Sequence, residues 1–563
     1  MMTESRPEAL RALRDWFGHA DFQGPQEETI DHLLAGGNAL VILPTGGGKS
    51  LCYQLPAMLM SGVTVVLSPL IALMQDQVDQ LRKRGLPATY INSSLDRRER
   101  ERRLADVVAG KIRLLYVTPE RFRKQPFVEA LREVRVPLLA VDEAHCISAW
   151  GHDFRPEYGR LGKIRELLGD PPTVALTATA TLDTRRDILE RLRIPDARLF
   201  MTGIERRNLH LGVRTVQDGE ERYARIVEVL RSVGGPGIVY MSLIKDLRIL
   251  QDGLYRDGFF VHVYHGDLER GERRRMQREF IDSDDGIILA TNAFGMGVDK
   301  PNIRFILHAQ IPGSVEAYFQ EVGRAGRDGE DSLCELLYLQ EDLMIQKQFV
   351  EWANPDAAFV RNQFNLMARW GEELYAHDLD ELRETLLLKN RADGRPEMVM
   401  GLLRSEGIID GTFERGDIRI VRPLAAGEEE VLVHSGKRDR DLRRLLEIVE
   451  YARSTTCRKE SIHGYFGLEW AKGNCGSCDR CRDLDEVLAA FPQRPVRKPS
   501  QGLEETAPVA VGDWLRVRGR FVVCVKSVTR DARGRWVIQG QSADDFKIRS
   551  YNLSEMSWEP AEG

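Results

Sequence analysis

The residue types and spacing best suited to chemistry lie in one glycine-rich stretch, which reads Leu43-Pro44-Thr45-Gly46-Gly47-Gly48-Lys49-Ser50. Successive glycines let backbone N–H groups turn inward around a phosphate, Lys49 adds a positive charge for the β- and γ-oxygens, and the Ser50 hydroxyl can ligate Mg²⁺. Leu43 stands where the strict phosphate-loop motif has its first glycine, but the shorter T-G-x-G-K-S form is intact. The alternative is a glycine-rich turn without a ligand. We expect a nucleoside triphosphate to be bound by Thr45, Gly46, Gly47, Gly48, Lys49 and Ser50.

A second candidate is the acidic stretch Asp142-Glu143-Ala144-His145, which directly follows an apolar run from Pro137 to Val141. If that run is a strand of a parallel sheet, both carboxylates lie at its C-terminal end, where such sheets present their ligands. One carboxylate can hold Mg²⁺ while the other orients and deprotonates a water molecule. We assign the first role to Asp142 and the second to Glu143. The alternative is a solvated acidic loop.

Directly after the acidic stretch comes a loop rich in rings, which includes Trp150, His152, Phe154 and Arg155. Aromatic rings can stack on unpaired bases, each stack contributing about 1–3 kcal/mol, and an arginine adds a phosphate or cation–π contact. We therefore predict that these four residues bind a single nucleic-acid strand. The alternative is a packed hydrophobic loop.

Four of the eight cysteines cluster toward the C-terminal end, at Cys457, Cys475, Cys478 and Cys481. Two overlapping C-x-x-C pairs and one distant cysteine supply four thiolates, which form a closed tetrahedral set for Zn²⁺ with no open position for catalysis. In a reducing cytosol such clustering favours a metal over disulfides. We predict a structural zinc site here, and the alternative is four free cysteines.

Strand-like and helix-like segments alternate around these motifs, which is typical of an α/β protein whose parallel sheets are covered by helices. In the first part of the chain the strand-like runs cover residues 39–42, 63–67, 112–117 and 137–141. The pattern resumes with strand-like runs over residues 237–240 and 286–291. The sequence therefore predicts two parallel sheets in tandem.

The bulk composition excludes several classes of protein. A chain of 563 residues is long enough for about three to five domains. Its net charge is −6, so any basic surface for nucleic acid must be local. No apolar run reaches the roughly 18 residues of a membrane span, and the N-terminus lacks a signal-peptide core. We therefore expect a cytoplasmic protein with no membrane partner.

The motifs from Phe17 to about Leu339 stand in the order found in the RecQ family of superfamily 2 DNA helicases, which this stretch resembles. The resemblance rests on the phosphate loop continued as Leu51-Cys52-Tyr53-Gln54, on Ser68-Pro69-Leu70-Ile71-Ala72-Leu73, on Thr118-Pro119-Glu120-Arg121 and on the stretch from Asp142 to Tyr158. The last is the most specific, because helicases in general have the acidic tetrad but not the aromatic loop. The resemblance implies two RecA-like domains with ATP between them and single-stranded DNA across their top.

The resemblance gives the second domain a nucleotide contact in the run Gln320-Glu321-Val322-Gly323-Arg324-Ala325-Gly326-Arg327-Asp328. Two arginines three residues apart share one face of a helix. Arg327 is the expected arginine finger for the γ-phosphate, Arg324 is a coupled phosphate contact, and Gln320 is a further nucleotide contact. The alternative is a salt-bridged pair of surface arginines.

Ahead of the phosphate loop, Phe17, His19 and Gln26 form the expected adenine site, because a glutamine amide matches the N6 and N7 edge of adenine. The alternative is a helix-capping turn. This segment departs from the family, which usually has Tyr and Arg at the positions of His19 and Gln23. Further departures are Met241-Ser242-Leu243-Ile244, in place of a Cys-x-Ser-Arg run, and Arg207, in place of a proline.

The predicted domain plan is α/β, with additional modules toward the C-terminus. We place RecA-like domains over residues 1–203 and 204–345, a winged-helix-like domain over 350–432, a helical zinc-binding module over 433–485, a linker over 486–508 and a small basic β-barrel over 509–563. The zinc-binding module matches the family, although there the winged helix usually follows it. The winged helix either reads duplex DNA or only packs against its neighbours.

The predicted barrel carries the local basic charge that the net charge conceals. Between Asp513 and Arg549, nine Lys or Arg stand against four Asp or Glu. Such a surface suits DNA or a protein tail, and the alternative is a barrel core with solvated charges.

The resulting prediction is an ATP- and Mg²⁺-dependent DNA helicase of the bacterial cytoplasm or nucleoid, acting in recombination or repair. The resemblance alone implies 3′-to-5′ movement on single-stranded DNA. We expect a monomer that acts on single-stranded DNA and on 3′-tailed or branched duplex DNA, with a single-stranded-DNA-binding protein as a further partner. Two alternatives stay open: a DNA- or RNA-stimulated ATPase that translocates or remodels without strand separation, and a catalytically idle DNA-binding scaffold.

Overall fold

The apolar runs on either side of the phosphate loop form the central sheet of the first domain. The computed structural model describes residues 5–44, 46–69, 71–148, 156–295, 298, 300–387, 393–413, 416–433, 436–471, 473–494, 514–517, 521–530, 536–542, 548–552 and 558–560. The strands of the first sheet are β1 Ala39–Ile42, β2 Thr64–Leu67, β3 Ala88–Ile91, β4 Leu114–Val117, β5 Leu139–Val141, β6 Thr173–Thr177 and β7 Arg198–Met201. They lie in the order β3-β4-β2-β5-β6-β1-β7, with parallel neighbours throughout.

Helices cover this sheet and bury both of its faces. They are α1 Ser5–Ala12, α2 Gln26–Leu34, α3 Leu51–Leu59, α4 Ile71–Lys83, α5 Arg97–Val108, α6 Gln125–Arg132, α7 Leu161–Leu167 and α8 Leu182–Leu192. Val41 and Val66 pack in one core, whereas their chain neighbours Ile42 and Leu67 pack in the other. Because strand side chains alternate between faces, a strand that is buried on both faces has a continuous apolar run.

The second domain repeats this plan. Its strands are β8 Leu209–Thr215, β9 Gly237–Tyr240, β10 Val261–Tyr264, β11 Ile287–Ala290, β12 Phe305–His308 and β13 Ser332–Tyr338, in the order β10-β11-β9-β12-β13-β8. The neighbours from β11 to β8 run parallel. Its helices are α9 Gly219–Ser232, α10 Ile244–Arg256, α11 Arg270–Asp282 and α12 Val315–Val322. The prediction of two parallel-sheet domains is confirmed.

A helical segment with one small hairpin follows the second sheet. Its elements are α13 Leu343–Ala353, α14 Ala357–Trp370, α15 Leu379–Leu387, α16 Arg395–Ser405, β14 Ile409–Asp410, β15 Arg419–Ile420 and α17 Glu428–Leu432. The two strands pair antiparallel, and α14, α16 and the hairpin share one hydrophobic core. Helices followed by a hairpin agree with the predicted element order, and the winged-helix assignment stays a prediction.

The cysteine-rich module shares a core with the second domain. Its helices are α18 Lys437–Arg453, α19 Arg458–Tyr465 and α20 Leu484–Ala490. Ile448 and Phe466 of the module pack in the same cluster as Ile306 of β12. Leu211 of β8 also donates its N–H to Ser477 O at 3.1 Å and accepts from Asp479 N at 2.9 Å. The module is thus built onto the edge of the second sheet.

The linker predicted over residues 486–508 begins too early. Residues up to Ala490 continue α20, whose Val487 and Leu488 are buried. Beyond this helix, Arg494 Nε donates to Leu230 O at 3.0 Å. The prolines that suggested a linker begin only at Pro492, whereas residues 484–490 contain none and form a helix that packs against the second domain. Residues 495–508 lie outside the described residues.

The C-terminal strands form an antiparallel sheet. The chain divides into two compact units, and the second contains residues 250–261 and 495–563. The strands β16 Trp514–Val517, β17 Phe521–Arg530, β18 Trp536–Ser542, β19 Ile548–Asn552 and β20 Trp558–Pro560 have the order β19-β18-β17-β16-β20. Their neighbours pair antiparallel around a small apolar core. A closed barrel with a basic surface stays a prediction.

We expect the second domain to depend on one buried ion pair. Arg225 and Glu335 are 4% and 0% exposed, and Arg225 Nε lies 2.9 Å from Glu335 Oε2. Removing Glu335 leaves the buried Arg225 with only the largely exposed Glu228 and Asp485 as partners, so Glu335→Ala should lower the free energy of unfolding by about 3 kcal/mol. Glu101→Ala, which removes an exposed partner of Arg97, should cost under about 1 kcal/mol. Denaturant unfolding checks both, and equal effects would contradict the expectation.

Candidate functional site

The phosphate loop connects β1 to α3 with two residues in a conformation that glycine adopts readily. Gly46 has φ 84° and Gly48 has φ 71°, both in the left-handed region. The Lys49 ammonium lies inside the loop, where Nζ donates to Leu43 O at 3.0 Å and to Pro44 O at 3.4 Å. The loop thus has the geometry of an anion cradle with its cation held by backbone carbonyls. Thr45 lies outside the described residues.

Gln26 contacts the phosphate loop directly. Its Nε2 donates to Gly48 O at 3.3 Å and to Gly47 O at 3.4 Å, while its Oε1 accepts from Gln23 N at 2.8 Å. A Cβ at Gly48 would lie 2.2 Å from Gln26 Nε2, so the amide can approach the loop only because Gly48 has no side chain. The structure therefore brings Gln26 to the nucleotide site, and its reading of adenine stays a prediction.

The other two residues of the predicted adenine site are placed differently. Phe17 is 6% exposed and packs in the core of the first domain, with the Arg84 guanidinium 5.6 Å from its ring centre. His19 is exposed. In this structure the Phe17 ring is thus mainly a core side chain, and the adenine contacts of both residues stay predictions.

The two carboxylates lie at the C-terminal end of β5, as predicted. Asp142 is 7% exposed and accepts a hydrogen bond from Glu143 N at 3.0 Å. Glu143 has φ 48°, a left-handed conformation that costs a non-glycine residue about 1–2 kcal/mol. Strain of this kind at an acidic residue is typical of functional sites.

Burial and charge control the protonation of this cluster. Burial, and then the charge of Glu143, raise the pKa of Asp142 to about 7, against the opposing charge of Lys49. Burial also lowers the pKa of Lys49, which Glu143 and Asp142 oppose and Arg327 reinforces. Lys49 thus interacts electrostatically with both carboxylates and with Arg327, while burial disfavours the charged forms of Lys49 and Asp142.

His145 connects the acidic stretch to the next strand. Its Nδ1 lies 3.0 Å from Thr177 Oγ1 and 3.4 Å from Glu143 Oε2. The Thr177 hydroxyl in turn donates to Thr179 O at 2.9 Å. Thr177 at the end of β6 and Thr179 just beyond it are thus joined to the acidic stretch through a buried imidazole.

The two predicted arginines reach different places. A Cβ at Gly46 would lie 3.8 Å from Arg327 Cδ, so Arg327 of the second domain lies beside the phosphate loop of the first. Arg324 is 6% exposed, donates to Gly295 O, and lines a cavity of about 510 Å³ together with Gln320 and His145. The geometry brings Arg327 to the nucleotide site, and the phosphate contacts of Arg324 and Gln320 stay predictions.

The predicted base-stacking residues Trp150, His152, Phe154 and Arg155 lie outside the described residues. The residues that flank this segment make defined contacts in the first domain. On one side, Ser148 Oγ donates to Asp187 Oδ2 at 2.7 Å, and on the other Tyr158 is buried in the first domain. The segment therefore begins and ends at fixed points near the acidic cluster.

The four clustered cysteines meet in space, as the sequence predicted. The thiols of Cys457, Cys475, Cys478 and Cys481 all lie within 4.8 Å of one another, and the Cys457 and Cys478 sulfurs are 3.9 Å apart. A tetrahedral zinc with bonds of about 2.3 Å separates its sulfur ligands by about 3.8 Å, so the residues fit this metal. Next to the cluster, the Arg458 guanidinium donates hydrogen bonds of 2.8 and 2.9 Å to Asp479.

Three family comparisons agree with this geometry. The DEAD/DEAH box helicase family matches residues 23–188, and the helicase conserved C-terminal domain matches residues 221–329. The RecQ zinc-binding family matches residues 415–482, which include the four thiols.

Curated relatives decide the family. A probable ATP-dependent DNA helicase RecS of Bacillus subtilis (strain 168) is 38% identical over 394 residues, which cover 70% of this chain and 78% of that protein. The chain belongs to the RecQ family of DNA helicases. The ATP-dependent DNA helicase RecQ of the same organism is 44% identical over 61% of this chain, and that of Haemophilus influenzae (strain ATCC 51907 / DSM 11121 / KW20 / Rd) is 40% identical over 62%. The aligned part spans only 58% and 56% of these two relatives.

A solved structure shares the fold of this RecQ-family chain. The crystal structure of the DUF1998 helicase MrfA bound to DNA and AMPPNP has a TM-score of 0.50 at 18% identity, covering 61% of this chain and 52% of that one. At this identity the likeness supports the fold alone.

Sequence reasoning missed the residues that hold the Arg327 loop. Arg206 and Asn208 donate to backbone carbonyls of this loop. Lys459 donates to the backbone carbonyl of Arg206. The only available signal was the basic pair Arg206-Arg207 ahead of β8, because backbone carbonyl partners leave no mark in a sequence.

We expect Gly48→Ala to weaken ATP binding about tenfold or more, because its Cβ would displace Gln26 and strain the loop. Gly36→Ala is a matched control, since Gly36 has φ 85° with nothing within 4 Å of its Cβ position. Both variants should lose about 1 kcal/mol of stability, and only the first should lose affinity in a titration with a fluorescent ATP analogue. Equal affinities would contradict the steric argument.

We expect removal of zinc by a strong chelator to unfold the 457–481 module and lower the melting temperature of the second domain, because the two share one core. Metal binding at such sites supplies about 10–16 kcal/mol of apparent folding free energy. Cys478→Ser should lose zinc by elemental analysis, whereas Cys524→Ser, outside the cluster, should keep it. A fully folded and active metal-free protein would show that the cluster has no structural role.

Proposed function

We propose that this chain is an ATP-dependent DNA helicase that separates duplex strands while moving 3′-to-5′ on single-stranded DNA. The relatives named above are ATP-dependent DNA helicases. The observation that carries the proposal is the position of Arg327 beside the phosphate loop, because it brings a second-domain cation close to the loop that we propose holds the nucleotide. Recombination or repair is the process in which we expect this activity to act.

Nucleotide binding uses groups that the loop already presents. Lys49 leaves its two carbonyl partners to contact the β- and γ-phosphates, while loop N–H groups face the same oxygens. Asp142 and Ser50 would hold Mg²⁺, since a buried carboxylate with a raised pKa needs a cation nearby. When bound, this ion neutralises charge on the phosphates.

Glu143 is the proposed acceptor of a proton from the attacking water. Its Oε2 is buried and has no hydrogen-bond donor within the part of the chain that the structure describes. His145 lies 3.4 Å away and orients the carboxylate. A carboxylate oxygen with an open lone pair can both position a water molecule and take its proton.

Arg327 completes the charge balance during hydrolysis. A guanidinium beside the γ-phosphate stabilises the negative charge that spreads over the transferring group, an effect of about 10³–10⁵ in rate in other phosphoryl-transfer enzymes. Loss of the γ-phosphate removes the group that Arg327 and Lys49 share. The two domains then separate, and repetition of this cycle drives movement along the strand.

The link from hydrolysis to DNA runs through His145 and Thr177. The acidic stretch leads directly into the ring-rich loop from Trp150 to Arg155, which we propose as the contact with single-stranded DNA. A strand bound there alters the position of His145, and the 3.0 Å contact between His145 and Thr177 transmits this change to the end of β6. Glu143 responds because it lies against the same imidazole.

The substrates proposed are single-stranded DNA and 3′-tailed or branched duplexes, and the partner proposed is a single-stranded-DNA-binding protein. We propose a monomer in the bacterial cytoplasm or nucleoid, on the basis of the bacterial relatives. Within the described ranges, no helix combines the length and the apolar character needed to cross a bilayer.

The proposal is tested by strand separation of a 3′-tailed duplex with ATP and with a non-hydrolysable analogue, beside a 5′-tailed duplex. We expect unwinding only with ATP and the 3′ tail, and a loss of about 10²-fold or more in Glu143→Gln. Glu101→Gln on the exposed face of α5 is the matched control and should unwind normally. If DNA or RNA stimulates hydrolysis and no strands separate, the chain is a translocating or remodelling ATPase instead.

A further inference from the structure

The loop that carries Arg327 is held by two side chains from the segment that enters the second sheet. Arg206 Nη2 donates to Ala325 O at 2.9 Å and to Gly326 O at 2.6 Å. Asn208 Nδ2 donates to Gly326 O and to Glu330 O, both at 2.8 Å. Four side-chain hydrogen bonds therefore hold the loop, with acceptors at Ala325 and Gly326 before Arg327 and at Glu330 after it.

The backbone conformation of Gly326 and its lack of a side chain allow these contacts. Its φ is 52°, in the left-handed region, and a Cβ there would lie 2.4 Å from Asn208 Nδ2. Gly326 N also donates to Ile303 O at 2.9 Å. The loop is thus fixed on both sides immediately before the Arg327 side chain extends toward Gly46.

Arg206 is fixed in turn by the cysteine-rich module. Lys459 Nζ donates to Arg206 O at 2.7 Å and to Ser477 Oγ at 2.7 Å. Lys459 is 4% exposed, and Ser477 lies between the zinc-ligand positions Cys475 and Cys478. A buried lysine has few alternative partners, so its ammonium can satisfy its charge only while both the module and the Arg206 backbone are in place.

We propose that Arg206 and Asn208 are positioning residues for Arg327, and that Lys459 makes their geometry depend on the folded cysteine-rich module. The module then acts on hydrolysis through a continuous path: Ser477, Lys459, Arg206, the Ala325 and Gly326 carbonyls, and Arg327. This inference rests on the proposed role of Arg327 in ATP hydrolysis.

The path predicts a specific kinetic signature. Arg327 acts on charge that develops during phosphoryl transfer, so its misplacement lowers kcat more than it raises KM. A displacement of about 1 Å in a catalytic group can cost about 10²-fold in rate. Arg206→Ala should therefore lower DNA-stimulated kcat about 10- to 100-fold with little change in KM for ATP. Asn208→Asp, which keeps the size and removes the Nδ2 donor, should act in the same direction.

Arg494→Ala is the matched control for Arg206→Ala. Arg494 also donates to backbone carbonyls of the second domain, those of Leu230, Asp285 and Gly235, but none belongs to the Arg327 loop. We expect Arg494→Ala to lose stability and keep its kcat. If Arg206→Ala and Asn208→Asp both fold and hydrolyse ATP as Arg494→Ala does, the positioning role is wrong.

The deciding experiment is a double-mutant cycle in the full-length chain, with kcat of DNA-stimulated hydrolysis as the readout. Arg327→Ala should lower kcat about 10³-fold, and adding Arg206→Ala to it should change kcat no further, since the group being positioned is gone. If the two substitutions lower kcat by factors that multiply in the double variant, the positioning role is wrong. The proposed role of Arg327 as the arginine finger would then still stand. An unchanged kcat in Arg327→Ala would instead overturn the proposed role of Arg327, and the inference with it.

A second cycle tests the link to the module. Lys459→Met should lower kcat about 10-fold while zinc content and DNA affinity stay at the wild-type level, and it should have no further effect in Arg327→Ala. A wild-type kcat in a zinc-loaded Lys459→Met protein would remove the module from the path. A loss that persists in the Arg327→Ala background would show that Lys459 acts elsewhere.

Discussion

The active-site cleft depends on a balance of charges that neither parallel sheet can achieve alone. Lys49 from the first domain and Arg327 from the second lie close enough to affect each other, and Lys49 also lies near the carboxylates of the buried Asp142 and the partly buried Glu143. Like charges held in a desolvated cleft repel strongly. In the proposed cycle, a triphosphate between the two cations would supply the negative charge that favours approach of the domains, and its hydrolysis would remove part of that charge.

The second domain can supply a well-placed cation because it is not an isolated RecA-like sheet. Its core continues into the cysteine-rich module, and Lys459 contacts the backbone of a residue 253 positions earlier in the chain. Packing of this kind joins the sheet and the module through one hydrophobic core. If the proposed path to Arg327 holds, the folded module affects hydrolysis through shared structure, although the thiols take no part in the chemistry.

The first domain also contacts the module away from the nucleotide site. Arg185 Nη2 donates to Phe466 O at 2.8 Å, and a Cβ at Gly467 would lie 2.8 Å from Leu182 Cγ. Both contacts join α8 to the end of α19. Separation of the two domains in the proposed cycle would break this hydrogen bond.

The sequence by itself determined the local chemistry: strands buried on both faces leave continuous apolar runs, and phosphate and zinc ligands require particular residues at short spacings. The phosphate loop, the carboxylates after β5 and the four cysteines were predicted for this reason. Tertiary structure alone decided that Phe17 is mainly a core residue, that α20 occupies the start of the expected linker, and that Arg206 and Lys459 support Arg327. These features depend on contacts with backbone carbonyls and on residues far apart in the chain, and neither produces a periodicity or a motif that the sequence displays.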